Sequence, residues 1–140
     1  RSRYEILLEN YTKVLSIEAL TMLDMVDKEI LPAIIAYSKT LTDAALAKKA
    51  LMGDINIDTE IDLVGKISAL TALLYKRKTA LEAALQEGKE VAQTDKQTVF
   101  FKERVLSAMT ELRAASDELE TMVSKDFWPF PTYTDLLYSL

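Results

Sequence analysis

Apolar residues recur at three- and four-residue steps through three long stretches of this chain, and that period dictates helix. The first stretch runs from about 2 to 52 and carries Tyr4, Leu7, Leu8, Tyr11, Leu15, Leu20, Leu23 and Ile30. The second, about 58 to 91, carries Leu63, Ile67, Leu70, Leu74, Leu81 and Leu85, with an interruption at Lys78. The third, about 95 to 125, carries Phe101, Val105, Met109, Leu112, Leu119 and Met122. Only three Gly and three Pro punctuate 140 residues, so little can break the helices and one domain suffices. Short loops between long helices make neighbours antiparallel. The expected fold is all-α: an antiparallel bundle of three long helices.

Local signals place the ends. Gly53 suits a left-handed cap on the first helix, and Asp58 or Thr59 suits the start of the second. Gly88 weakens the second helix near its end. Thr94-Asp95-Lys96-Gln97 matches a capping box at the start of the third. Pro32 has no N–H to give the Lys28 carbonyl and crowds it, which predicts a kink, with a full break as the alternative. The first helix is longer than the others, so the stretch from Ser2 to about Leu20 is expected to overhang the bundle and to need a covering partner. Arg1 in place of an initiator Met reads as a chain cut from something longer.

The last fourteen residues hold the only Trp, two of the three Pro and a single charge. Aromatics there forfeit ~150–250 Å2 of burial each unless they dock. The expected docking residues are Phe127, Trp128, Phe130, Tyr133, Leu136 and Leu137. Pro129 and Pro131 hold this tail (127–140) extended, and Thr132 or Thr134 caps a short last helix. Docking onto the chain's own bundle is favoured, and docking onto a neighbour is the alternative.

Chemistry is harder to find. The loop from Asp54 to Asp62 alternates oxygen donors like a calcium loop, but it has Thr59 where Gly is required and Gly65 where Glu is required. Helix capping, with Ile55 and Ile57 plugging the bundle end, explains it better. Carboxylates cluster at Glu5 with Glu9, at Asp24 with Asp27, and at Asp117, Glu118 and Glu120. The chain has no His, which removes the di-iron motif and the serine triad. It has no Cys, hence no disulfide and no thiolate metal site. Lys76-Arg77-Lys78 and Lys48-Lys49 are read as solvated faces on a chain of net charge −5, which disfavours nucleic acid. No apolar run approaches the ~18–20 residues that span a bilayer. The five methionines are read as core filler. No catalytic, cofactor or metal residue is assigned.

Several stretches carry a resemblance. They are Ile17 to Met25 with Ile30-Leu31-Pro32-Ala33, Leu41 to Lys49, Asp117 to Val123, and Trp128-Pro129-Phe130-Pro131-Thr132-Tyr133 running on to Leu137. Together they resemble the helical C-terminal region of the type III glutamine synthetases, over essentially the whole chain. The resemblance implies a bacterial, cytoplasmic homo-oligomer that ligates ammonia to glutamate with ATP and Mg2+. It also implies that the ligands for those groups lie upstream of this chain. The expected partners are then the chain's own catalytic domain and neighbouring subunits. A free-standing helical adaptor acting through coiled-coil contacts, and an enzyme built on helix carboxylates, are the rival classes.

Overall fold

The computed structural model describes residues 2–131, and Thr132, Tyr133, Thr134, Leu136 and Leu137 lie outside the described residues. It is an all-α bundle, with no strand among the described residues. Helices α1 (Arg3–Met25) and α2 (Leu31–Leu51) form one continuous rod joined by a π-turn at Val26–Ile30. Helix α3 (Asp58–Lys89) returns along it. The last rod is α4 (Thr94–Phe100), a second π-turn (Phe101–Val105) and α5 (Leu106–Met122). Helix α3 packs against both α2 and α5, and α1 packs against α4.

Helix α3 keeps a regular apolar seam. Ile67, Leu74, Leu81 and Leu85 are buried on one face, and so is Lys78. Lys78 therefore continues the stripe that its charge was expected to interrupt. Its stem lies in the core, and its ammonium reaches Asp27 of the first π-turn at 3.0 Å and Glu82 at 3.3 Å. The solvated-face reading therefore fails at Lys78, while Lys76 is exposed and Arg77, partly exposed, donates to the Glu111 carbonyl at 2.8 Å.

Pro32 neither breaks the rod nor leaves it an ordinary α-helix. The Leu31 N–H reaches back five residues to the Val26 carbonyl, and Pro32 follows at the start of α2. A turn closed over five residues does not need the four-residue bond that proline cannot make. The π-turn is the form that the expected kink takes.

Four local expectations are corrected. No described Gly has positive φ, so Gly53 is not a left-handed cap; Met52 turns extended instead (φ −144°, ψ 112°), and Lys49 bonds the Gly53 carbonyl. The start of α3 is capped by Asn56, whose Oδ1 accepts the Asp58 N–H at 2.7 Å, rather than by Asp58 or Thr59. The capping box does not form, because Gln97 spends its amide on the Gly88 carbonyl at 3.0 Å. Met52 is exposed and fills no core gap.

The overhang is also shorter than expected. Leu15 and Ala19 are buried in the core, and Thr98 of α4 bonds Thr12 at 3.3 Å and the Leu8 carbonyl at 3.4 Å. The third rod reaches far enough to cover α1 back to about Leu8. The apolar stripe read along the first helix therefore splits. Leu15, Ala19 and Leu23 face the core, while Tyr4, Leu7 and Leu20 face water.

Candidate functional site

After α5 the chain turns on Ser124. Its carbonyl accepts the N–H groups of Phe127 (2.9 Å) and Trp128 (3.1 Å), and its hydroxyl accepts that of Asp126 (3.3 Å). This turn sends two neighbouring rings in different directions. Phe127 lies against Tyr37 of α2, with ring centroids 5.3 Å apart and planes tilted by 57°. Trp128 enters the core and is 8% exposed, and Phe130 packs beside it, half-buried.

Trp128, Phe130 and Pro131 form one wall of a groove of about 450 Å3. Ile17, Met22 and Met25 of α1 form the second wall, and Met109 and Leu112 of α5 form the floor. Charged groups sit along its length: Glu18 from α1, and Arg113, Asp117 and Glu120 from α5. The lining is thus largely apolar, bordered by three acids and one base. Such a surface holds an apolar chain or side chain rather than a polar substrate.

A second surface lies on α1. Tyr4, Leu7, Tyr11 and Val14 step by three, four and three residues, which puts them on one helix face. They are 66%, 60%, 39% and 55% exposed. No described element covers this face. Tyr4, Leu7 and Tyr11 belong to the stripe read along the first helix, on the stretch expected to overhang the bundle and to need a covering partner.

Several other charged groups pair within the bundle. Asp24 pairs with Lys28 at 2.9 Å, and its bond raises the Lys28 pKa. Lys48 pairs with the nearly buried Glu60 across the α2–α3 end, and that bond lowers the Glu60 pKa. Asp27 is committed to Lys78, whose pKa its bond raises, with a smaller contribution from Glu82. Among the described residues no group of three or more His, Cys, Asp or Glu side chains is placed to hold a metal ion. No described helix is long and apolar enough to cross a membrane.

Comparison with known proteins bears on what these surfaces serve. The family model of the glutamine synthetase C-terminal domain matches residues 1–49. A glutamine synthetase of Butyrivibrio fibrisolvens is 32% identical over 139 residues, which is 99% of this chain and 20% of that protein. A type-3 glutamine synthetase of Dictyostelium discoideum is 28% identical over 144 residues, covering 98% of this chain and 19% of that protein. The chain is thus similar, over nearly its whole length, to part of the glutamine synthetases, a type-3 enzyme among them. A glutamine synthetase of Bacteroides fragilis is 24% identical over 145 residues, covering 98% of this chain and 19% of that protein. The chain spans about a fifth of the length of the curated relatives it matches.

The segment matched by the glutamine synthetase model includes α1, the first π-turn and nearly all of α2. The exposed stripe from Tyr4 to Val14 and one wall of the groove both lie within it. Three of the stretches that carry the resemblance, Ile17 to Met25, Asp117 to Val123 and Trp128 to Pro131, converge on the groove. Glu18, Asp117 and Glu120, three of the five acids in those stretches, border the groove.

Proposed function

We propose that this chain is a non-catalytic packing domain of a type III glutamine synthetase, and that it supports assembly of the longer enzyme. The parent reaction is ligation of ammonia to glutamate at the expense of ATP, in the cytoplasm. ATP and Mg2+ would be held elsewhere in the longer protein, as the resemblance implies.

One observation carries the reading: the apolar face of Tyr4, Leu7, Tyr11 and Val14 left in water on α1. An amphipathic face of this spacing is suited to packing against another element, here the catalytic domain or a neighbouring subunit. The tail residues Phe127, Trp128, Phe130, Tyr133, Leu136 and Leu137 serve, in this reading, to seal the chain's own bundle.

The test is made in the longer enzyme. Leu7→Asp with Tyr11→Asp changes only exposed side chains, so helicity of the domain should be unchanged by circular dichroism. Sedimentation should show a smaller assembly, and glutamine formation should fall with it. An assembly of unaltered size would remove the face from this role.

A further inference from the structure

The groove beneath Trp128 is open and apolar, and no described segment fills it. Its walls include Pro131, where the described residues end. Nine residues follow: Thr-Tyr-Thr-Asp-Leu-Leu-Tyr-Ser-Leu. We propose that residues 132–140 of this chain are the occupant of this groove, seated through Tyr133, Leu136, Leu137 and Leu140.

Length, pattern and charge each point to this occupant. From Ile17 of α1 to Ile30 of the first π-turn the wall covers about 20 Å at ~1.5 Å per residue. Nine residues span about 13 Å as a helix and about 30 Å extended, so the segment covers roughly two-thirds of that length as a helix and all of it extended. The apolar positions 133, 136, 137 and 140 fall on one face at helical spacing, as a groove-binding segment requires. Met22, Met25 and Met109 give the groove an adaptable lining that can close around leucine and tyrosine side chains. Asp135 is the only charge in the segment. Arg113, the only base on the groove among the described residues, makes no ion pair or hydrogen bond to another described residue and is available to it.

The chain has no Cys and one Trp, so both tests read a single place. In the first, Met25→Cys and Leu137→Cys are combined and the chain is oxidised. A disulfide within one chain is expected, seen as a monomer of increased mobility on a non-reducing gel. Free thiols, or a disulfide formed only between chains, would overturn the proposal; the second result would assign the groove to another copy. In the second test, Leu136→Asp and Leu137→Asp are combined in the full chain. Acrylamide quenching of Trp128 should rise roughly twofold as the indole loses its cover. Unchanged quenching would also overturn the proposal.

This inference rests on the reading of the tail as an internal seal and is independent of the assembly role of α1. Loss of the cross-link with assembly still sensitive to Leu7→Asp and Tyr11→Asp would reject the groove occupant alone. The converse pair of results would reject the assembly face alone.

Discussion

The two π-turns have the same length and opposite causes. The first, Val26–Ile30, precedes a proline that an α-helix interior cannot accept without losing a bond. The second, Phe101–Val105, has no proline near it, and its origin is a contact. The Phe101 ring is 1% exposed and lies so close to Gly88 that a Cβ there would stand 2.5 Å from Phe101 Cε1. Both turns face α3, the regular helix between them. The first meets it through Asp27 and Lys78, and the second through Phe101 on Gly88 and a longer contact between Arg104 and Glu87 at 3.6 Å. A covalent restriction explains one departure from helix geometry, and shape complementarity explains the other.

Substitutions can break this contrast. Phe101→Ala removes a buried ring and the reason for the second turn. It should cost about 3–5 kcal/mol, read by denaturant unfolding. Gly88→Ala should cost about 1–3 kcal/mol, because a Cβ there would stand 2.5 Å from the buried ring and force it to shift. A stabilised Gly88→Ala variant would mean that the close approach of Phe101 does not shape the turn.

Lys78→Met tests the ion pair at the first turn while keeping the buried stem. A loss of about 1 kcal/mol or less is expected near neutral pH, since Asp27 is half-exposed. The pH dependence has a definite sign. Lys78 is raised by its bond to Asp27, so its contribution is complete below the ordinary lysine value of about 10.4. It is lost as pH rises through the folded value, and Lys78→Met should abolish that alkaline loss. Glu60 behaves oppositely. Its pKa is lowered by Lys48, so its contribution is present above about 4.3 and is lost as pH falls through the folded value.

Pro32→Ala should change stability least, within about 0.5 kcal/mol. The π-turn has already absorbed the missing bond, and the gain in helix propensity is offset by a freer unfolded chain. A gain near the ~3 kcal/mol of a proline in an ordinary helix interior would show that the turn relieves nothing.

The sequence carried unequal amounts of this architecture. Helical class could be read because period 3.6 is a local property of Leu74, Leu81 and their neighbours. The irregularity at Pro32 was readable for the same reason, since proline acts on its own backbone. The second π-turn was not, because its cause joins Phe101 to a glycine thirteen residues earlier. Spacing alone does not announce it: Val26, Ile30 and Ile34 step by four across a π-turn, and Leu15, Ala19 and Leu23 step by four within α-helix. Lys78 was misread because its partner lies on another rod. The groove was invisible for a similar reason, since its walls come from segments about 90 residues apart. Trp128 could be flagged as a residue needing cover, but not matched to Met22 or Met109.

The π-turns also bear on changes in chain length. Deleting one residue from an ordinary helix rotates everything beyond the deletion by about 100° and would carry a core stripe into water. A π-turn already holds one surplus residue, so a one-codon deletion inside it can restore an α-turn and leave both flanks in phase. The two turns differ in what such a deletion would cost. At Phe101–Val105 the helix would simply tighten, whereas at Val26–Ile30 it would return Pro32 to the obstruction that the wider turn avoids. Length variation in descendants of this gene should therefore be tolerated more readily in the second turn than in the first.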